Sequence, residues 1–546
     1  MMAEQIAMHV APIDKRNAPS RDAPLMLQKD AWDDFGFKTQ YHVYYFGAEF
    51  EGFLGNVKIL RRDQGITSDS ILAVGPLAPL GDEFCSLGQS LDYYERIAAL
   101  PPTVRDTILS QLRDALFEPD HAAGFKEEKG WGTSIIRDLD LDNYAPLAQV
   151  LLERDYNALP SAGFTLNFAP AHWQAPLHID FSEPDAPSYN GLVRLPALPG
   201  RLAVIAGRNG SGKSTLLARL ARVMHATQAD RQRAELLQLG SIEPAGIGFS
   251  RIITVAYSAF DTFQIPGVDA AEKRQIAKDL QAGTGRYVFA GLRDIAGELE
   301  ETLDAEQAAE VAQPDLFTLD RQESTHLKSA DRLADEYAAA VKRIYAEDRT
   351  GTYLQVLNLL LADPSFADTP DASALLALSP RQSFMRWSTG HKIVLHATAM
   401  MLAHVQRKSM ILIDEPESHL HPPLLAAFMH GIRLMLDQYD AFAIVATHSP
   451  VVAQETLGRH VSVITRVGDV ITINRPRIET YGESIGEITN EVFGLHAEAT
   501  DFHKILRGLV AGGLSLVDID GRFDHGLSLQ ARAYVMSLVA SRQDGV

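Results

Sequence analysis

The sequence predicts an α/β fold with a largely parallel sheet. Four runs have the length and apolar composition of buried strands: RLAVIAG, RIITVAYSAF, SMILIDEP and AFAIVATHSP. Segments in which apolar residues recur at helical spacing separate them along the chain. Strands that alternate with helices pack as a mostly parallel sheet covered by helices. The pattern therefore predicts a large α/β core in the second half of the chain.

Length, charge and cysteine content restrict the class of protein further. The 546 residues suffice for two or three domains, or for one large domain with insertions. The net charge of −20 is unusual for a protein that coats nucleic acid unaided, because neutralising phosphates requires basic residues. A single cysteine, Cys85, excludes an intrachain disulfide and an all-cysteine metal site. No stretch of 18 apolar residues occurs, so we expect a soluble, cytoplasmic protein without membrane contact.

Composition and periodicity predict four segments. A hairpin is expected in YHVYYFGAEFEGFLGNVKIL, where aromatic and β-branched residues flank a glycine-containing connection. The predicted segments are a flexible N-terminus (1–28), an α+β N-terminal region (29–160), an α/β core (161–498) with a helical insert (about 267–380), and C-terminal helices (499–546).

A glycine-rich loop follows the first of the buried strands. The run GRNGSGKS, residues 207–214, fits the pattern G-x-x-x-x-G-K-[ST]. Its glycines let backbone N–H groups point at a phosphate, and the helix that follows adds the positive end of its dipole. Lys213 would reach the β- and γ-phosphates, and the Ser214 hydroxyl would bind Mg²⁺. The predicted nucleotide-binding residues are Gly207, Asn209, Gly210, Ser211, Gly212, Lys213, Ser214 and Thr215.

Acidic and imidazole side chains follow two other buried strands. Asp414 and Glu415 come at the end of SMILIDEP. In a P-loop enzyme the strand-end aspartate holds Mg²⁺, and the next acid can polarise the attacking water as general base. His448 ends the next strand, where a contact with phosphate is favoured. We therefore predict that Ser214 and Asp414 bind the metal and that Lys213, Glu415 and His448 are catalytic.

A third polar segment begins a helix. Ser388 stands at the predicted helix start with Gly390 close by. A hydroxyl, backbone N–H groups and a helix dipole could together contact an anion. Read alone, this segment is better explained as an ordinary helix cap.

Taken together, the motifs resemble those of ABC-type ATPase heads. The shared order is glycine loop, helical insert, S-T-G helix, I-D-E-P strand and T-H strand, over roughly residues 165–495. The resemblance implies an ABC-ATPase head that uses ATP and Mg²⁺. It also implies that Ser388 and Gly390 of one subunit cap the ATP held by the loop of another. A homodimer, or a larger oligomer of dimers, is therefore expected.

Two further runs narrow the resemblance. The run DEPESHLHP, residues 414–422, is similar to the corresponding segment of OLD-like and RecF-type ATPases. The runs ATHSPVV and ETYGESIGEITNEVFGL resemble bacterial ATPases encoded beside nuclease genes in anti-phage systems such as Septu and PARIS. This resemblance implies an ATP-driven switch or sensor that controls a separate effector protein such as a nuclease.

Other interpretations stay open at this point. His391 stands where the family usually has Glu or Gln, and Gln264 is a candidate for the family's Q-loop residue. The alternatives are a RecF-like DNA-repair clamp, a transporter ATP-binding subunit, and a scaffold that binds ATP but barely hydrolyses it. Nucleic-acid binding is also undecided.

Two patterns could suggest a zinc site or a nuclease, but we interpret both as structural. His419 and His421 are two residues apart and precede a proline, so they point in different directions and are a poor pair of zinc ligands. Asp518 and Asp520 are similar to the D-x-D of a Toprim nuclease, but too few residues surround them for such a domain.

Overall fold

The structure is a computed structural model. It describes residues 5–14, 19–66, 70–161, 163–182, 189–190, 193–194, 198–308, 325–366, 372, 379–494 and 501–543. Within these ranges, every helix is too short or too polar to cross a lipid bilayer. The chain divides into two units, Met1–Gly482 and Glu483–Val546.

The N-terminal part of the first unit contains a six-stranded sheet in the order β5-β1-β2-β3-β4-β6. Neighbouring strands are antiparallel except β1 and β2, which are parallel. The sheet and its helices bury a shared apolar core. The strands are β1 Met8–Ala11, β2 Leu25–Lys29, β3 Gln40–Phe46, β4 Glu51–Arg61, β5 Gly75–Leu77 and β6 Phe84–Gly88.

The structure differs from the expected flexible N-terminus at two short segments. Residues 8–11 and 25–29 form buried strands that pair with each other in parallel. Neither segment is long enough to show a periodic pattern on its own. They are ordered by pairing, because β2 also lies beside β3 of the predicted hairpin.

A seven-stranded sheet forms the centre of the first unit, in the order β14-β13-β15-β16-β11-β17-β18. Its strands are parallel except for the last pair. This confirms the predicted α/β fold with a largely parallel sheet. Its strands are β11 Leu202–Gly207, β13 Ile252–Ala256, β14 Tyr287–Gly291, β15 Met410–Asp414, β16 Phe442–Thr447, β17 Val461–Val467 and β18 Val470–Asn474.

Smaller sheets and helices surround the central sheet. The strands β12, β7 and β8 form an antiparallel sheet, and β9 pairs with β10. These strands are β7 Thr165–Pro170, β8 Leu177–Asp180, β9 Tyr189–Asn190, β10 Val193–Arg194 and β12 Gly240–Glu243. The helices are α1 Leu91–Ala99, α2 Pro102–Gln111, α3 Pro119–Ala123, α4 Leu141–Glu153, α5 Lys213–His225, α6 Ala234–Leu237, α7 Ala270–Ala282, α8 Ile295–Ala308, α9 Ala330–Ala346, α10 Thr350–Leu361, α11 Pro380–Arg386, α12 Thr389–His404, α13 Pro422–Tyr439 and α14 Pro450–Gln454.

Helix α5 lies between the central sheet and the three-stranded sheet. It contacts β11, β13, β15 and β16 on one side and β7 and β12 on the other. Ten of its 13 residues are buried, and the apolar ones among them join an extensive apolar cluster. This packing fixes the start of α5 against the end of β11.

Buried ion pairs join the N-terminal region to the central sheet. Asp92 in α1 contacts Arg286 at 2.8 Å, and its neighbour Glu95 contacts Arg251 at 2.7 Å. Arg96 of the same helix pairs with Asp279 of α7 at 2.8 Å. All these side chains are less than a tenth exposed. A buried charge is costly unless it has a partner. Each region would therefore be destabilised if it folded without the other, because its buried charges would lose their partners.

The second unit is helical. Its own small apolar core contains Leu506, Val510, Ile519, Leu527 and Val535. Its helices are α15 Ile485–Phe493, α16 Asp501–Ala511, α17 Leu516–Asp520 and α18 Leu529–Gln543.

Candidate functional site

Three neighbouring strands of the central sheet end at the predicted motifs. Strand β16 pairs in parallel with β11 on one side and with β15 on the other. The carboxyl ends of parallel strands meet at one edge of the sheet, where α/β proteins bind their ligands. The glycine loop after Gly207, the acids at Asp414 and the histidine after Thr447 therefore lie side by side.

The backbone of the loop requires its glycines. Gly210 and Gly212 have φ angles of 78° and 98°, in the left-handed region that favours glycine. A Cβ on Gly207 would lie 2.6 Å from the carbonyl oxygen of Ile464 in β17. Helix α5 begins directly after Gly212 without a side-chain cap. A phosphate can therefore approach the loop and the first turn of the helix closely.

Buried polar groups line this loop. The Ser211 side chain is buried, and its hydroxyl has no hydrogen-bond partner among the described residues. The Lys213 ammonium is also buried; it donates to the Arg208 carbonyl oxygen at 3.1 Å and lies 3.9 Å from a Glu415 carboxylate oxygen. Donors buried without a strong acceptor are costly. These groups fit a phosphate chain bound in the loop.

The Mg²⁺ candidates contact each other directly. The Ser214 hydroxyl donates to the Asp414 carboxylate at 3.1 Å. Burial first, and then the nearby carboxylates of Glu415 and Asp261, raise the pKa of Asp414 to about 7, against the opposing effects of Ser214 and Lys213. A buried cluster of hard oxygen donors with excess negative charge suits a divalent cation. The residues present therefore fit Mg²⁺.

Glu415 is held at the end of β15 in a strained backbone conformation. Its φ angle is 45°, and its N–H donates to the carbonyl oxygen of Ala446 in β16 at 2.9 Å. A non-glycine residue in this region is uncommon and is often found at functional sites. The contact with His448 holds the pKa of Glu415 below its usual value, and Lys213 lowers it further. The carboxylate is therefore ionised and able to accept a hydrogen bond from water.

His448 lies between two carboxylates. Its Nδ1 atom is 3.6 Å from a Glu415 oxygen and 3.1 Å from a Glu417 oxygen. Neither contact has the alignment of a hydrogen bond, so these are ion pairs. The nearby carboxylates raise the pKa of His448, Glu415 more strongly than Glu417, and burial opposes this shift. The imidazole therefore carries a positive charge over a wider pH range than usual.

Glu417 is a site residue that the sequence interpretation missed. Its Oε1 atom accepts from the Thr447 hydroxyl at 2.7 Å and from the His448 N–H at 2.6 Å. It thereby fixes the backbone that carries the histidine. Its place three residues after Asp414 in DEPE was the available signal.

Trp173 is a second missed residue. Its indole ring lies 3.2 Å from the position that a Cβ on Gly212 would occupy. It sits in the turn after β7, where only tertiary packing brings it to the loop. The side-chain oxygen of Gln264, the Q-loop candidate, accepts from the Arg222 guanidinium of α5 at 3.2 Å.

Ser388 and Gly390 begin helix α12 as predicted. Ser388 is exposed at the N-cap, and its side chain caps no backbone N–H. Gly390 packs so tightly that a Cβ would lie 2.8 Å from the carbonyl oxygen of His419. His391 stacks on Phe366 with 3.9 Å between ring centroids, and its Nε2 atom lies 2.9 Å from the Ser365 hydroxyl. The S-T-G segment thus contacts the loop that follows the acidic strand.

The two patterns interpreted as structural have packing roles. His419 contacts the carbonyl oxygen of Tyr257, and His421 lies 3.4 Å from Asp363. Asp518 forms a capping box with Ser515 at the start of α17. In the part of the chain that the structure describes, no three His, Cys, Asp or Glu side chains are grouped to hold a metal.

The strand order, the glycine loop and the acidic strand end define the class of the protein. It has the fold of a P-loop ATPase of the ABC-like kind. A family described as an AAA domain, a candidate AbiEii toxin of type IV toxin–antitoxin systems, matches residues 256–453. That match begins after the glycine loop and includes the S-T-G helix and the strand ends at Asp414 and His448.

Comparison over the whole chain shows a phage relative. Protein ea59 of Escherichia phage lambda is 28% identical over 541 residues, which cover 95% of each chain. An inward-facing ABC transporter of metal-chelate type is 16% identical with a TM-score of 0.25, over 57% of this chain and 83% of that chain. A nucleotide-free ATP-binding cassette of an ABC transporter is 14% identical with a TM-score of 0.24, over 57% and 91%. At these TM-scores the fold assignment rests on the strand order and the loop.

Proposed function

We propose that the chain binds Mg-ATP in the glycine loop and hydrolyses it. The observation that carries this proposal is the meeting of Lys213, Asp414, Glu415 and His448 at adjacent strand ends. Lys213 and the loop N–H groups hold the β- and γ-phosphates, and Ser214 and Asp414 hold Mg²⁺. When bound, the ion neutralises phosphate charge.

Glu415 and His448 have different roles in the proposed reaction. Glu415 is ionised and fixed by its backbone, so it accepts a proton from the water that attacks the γ-phosphate. Glu417 orients His448, and the neighbouring carboxylates favour its cationic form, so it stabilises negative charge that develops on the phosphate. Trp173 stands beside the loop and stacks on the purine base.

We further propose that two copies close around ATP and that closure controls a separate effector protein, such as a nuclease, in defence against phage. Support comes from the exposed Ser388 at the start of α12, which is free of a capping role in its own helix. Gly390 links that helix start to the loop after Glu415. The matching family's description names a toxin of a toxin–antitoxin system, which is consistent with a defence role.

ATP turnover by the purified chain tests the chemistry. We expect Glu415→Gln to bind ATP with unchanged affinity and to lose hydrolysis by about a hundredfold or more, because the general base is removed. Glu153→Gln, an exposed glutamate on α4, is the matched control and should keep the normal rate. Normal turnover by Glu415→Gln would show that another group is the base.

The oligomeric state tests the switch. In the Glu415→Gln background, we expect ATP to convert monomers to dimers, measured by light scattering after gel filtration. Adding Ser388→Arg should abolish that conversion while ATP still binds to the monomer. Ser537→Arg, at an exposed position of α18, is the control. A dimer that forms equally well with Arg at position 388 would refute capping between subunits.

A further inference from the structure

A short turn just after helix α10 has its backbone fixed by one buried carboxylate. The turn comprises residues 363–366 and is called the α10 turn below. It is closed by the Phe366 N–H, which donates to the Asp363 carbonyl oxygen at 3.0 Å. The buried Asp363 carboxylate also accepts from the Ser365 N–H at 2.9 Å and from the Ser365 hydroxyl at 2.5 Å. Asp363 therefore fixes both the backbone of the turn and the direction of the Ser365 hydroxyl.

His391 of the S-T-G segment is attached to the α10 turn by its side chain. Its Nε2 atom lies 2.9 Å from the Ser365 hydroxyl oxygen, and its ring contacts the Phe366 ring. Burial lowers the pKa of His391 against the opposing charge of Asp363, so the ring is neutral at physiological pH. The one proton of the Ser365 hydroxyl points at Asp363, so Nε2 of His391 carries a proton and donates it to Ser365. A directed chain of hydrogen bonds thus runs from His391 through Ser365 to Asp363.

The loop after the acidic strand contacts the same turn. Nε2 of His421 lies 3.4 Å from the Asp363 carboxylate and 3.4 Å from the Ser365 hydroxyl oxygen. The same loop also packs against the S-T-G segment, because a Cβ on Gly390 would lie 2.8 Å from the carbonyl oxygen of His419. The α10 turn, the S-T-G segment and this loop therefore contact one another pairwise.

The start of helix α12 depends on such contacts for its orientation. Ser388 stands at the N-cap, but its side chain makes no capping hydrogen bond with its own helix. The N–H groups of an uncapped helix start have no partner within the helix, and helix ends fray. To cap an ATP bound to a second copy, these groups must point in one direction, because a hydrogen bond weakens steeply when it is misaligned. The α10 turn is an ordered element that can hold them so.

We propose that the α10 turn holds the S-T-G segment in the orientation that caps ATP on a second copy. His391 and Ser365 are then positioning residues for dimer closure, and they act through the hydrogen-bond chain that ends at Asp363. This inference rests on the proposed function, because it concerns how two copies close around ATP. It assigns these side chains no part in binding ATP to a single chain or in cleaving it.

The Glu415→Gln background allows dimer formation to be measured without turnover. In it, His391→Phe keeps an aromatic ring beside Phe366 but removes the N–H that donates to Ser365. We expect the dissociation constant of the ATP-bound dimer, measured by analytical ultracentrifugation, to rise about fivefold or more through loss of this hydrogen bond. The affinity of the monomer for ATP, measured by calorimetry in dilute protein, should not change. His430→Phe replaces an exposed histidine on α13 and is the matched control, which should dimerise like its parent.

Ser365 provides a second comparison that separates positioning from packing. Ser365→Ala removes the link between His391 and Asp363, whereas Ser365→Thr keeps a hydroxyl at this exposed position. We expect the alanine variant to weaken dimer formation as His391→Phe does, and the threonine variant to dimerise like the parent. Because both residues act through one chain, the double variant of His391→Phe and Ser365→Ala should be no weaker than either single variant.

Dimerisation of His391→Phe at the level of its parent would overturn the inference. So would a threonine variant that is as weak as the alanine variant, or effects of the two substitutions that simply add. Loss of ATP binding to the monomer would also contradict it, because the turn would then support the nucleotide site itself. If the Glu415→Gln parent stays monomeric with ATP, the proposed closure of two copies fails, and this inference fails with it. If the parent dimerises and the variants do so equally well, the proposed function stands and only this inference is wrong.

Discussion

Replacing Glu417 by Gln tests how His448 is held at the candidate site. The substitution keeps an oxygen acceptor for the Thr447 hydroxyl and the His448 N–H, which lie 2.7 and 2.6 Å from Oε1. It removes the negative charge 3.1 Å from Nδ1 of His448. The local backbone should therefore stay in place while the charge of the imidazole becomes less favourable.

The size of the effect follows from this distance. Two unit charges 3.1 Å apart interact by about 5 kcal/mol at an effective dielectric constant of about 20. His448 is 40% exposed, so solvent reduces this to about 1 kcal/mol. Losing this interaction favours the neutral imidazole, so the pKa of His448 should fall. Glu415 remains, so part of the upward shift is retained.

An NMR titration of the labelled imidazole measures this directly, with His448→Gln used to assign the resonance. In parallel, the alkaline limb of the ATPase pH profile should move to lower pH by a similar amount. A group with a raised pKa is protonated below that pKa, so activity that depends on its charge is lost as the pH rises through it. An unchanged or higher pKa in Glu417→Gln would refute the assigned role of this carboxylate.

Three further predictions concern other parts of the chain. Trp173→Ala should weaken ATP binding about tenfold, measured by calorimetry, whereas Trp32→Ala should not, because only Trp173 lies at the loop. Arg286→Met should lower the free energy of unfolding by about 3–5 kcal/mol in urea, since it leaves Asp92 buried without this partner; a cost below about 1 kcal/mol would contradict this. Burial raises the pKa of Asp114 to about 6, so its contribution to stability is complete below about pH 4 and is lost as the pH rises through 6. Asp114→Asn should remove this loss of about 3 kcal/mol from a series of denaturation curves at different pH, and an unchanged pH dependence would show that another group titrates.

The sequence predicts those parts of the fold that depend on neighbouring residues along the chain. Apolar runs of strand length and the glycine loop are local patterns, so the parallel sheet and the start of α5 were both predictable. The strands at 8–11 and 25–29 were not, because each is short and is ordered by its neighbours in the sheet. Pairing between distant segments produces no recognisable pattern in the sequence of either segment.

The residues of the candidate site likewise differ in whether a local sequence pattern predicts them. Lys213, Asp414 and His448 follow strands in recognisable motifs, and the structure brings them together; their chemical roles remain predictions. Trp173 reaches the loop through the packing of a separate sheet, which no local pattern encodes. The contact of the His391 ring with Phe366 likewise joins the start of α12 to the turn that follows α10.

The buried ion pairs between α1 and the region of the central sheet limit which segments can be exchanged between related chains. Asp92 and Glu95 pair with Arg286 and Arg251, and Arg96 pairs with Asp279. All three partners belong to the second region, around the central sheet. In a chimera that takes residues 29–160 from a relative, these charges would meet partners that had changed independently. We expect such hybrids to fold only when positions 251, 279 and 286 come from the same parent. We therefore expect recombination between relatives to tolerate crossovers between the N-terminal region and the central sheet poorly.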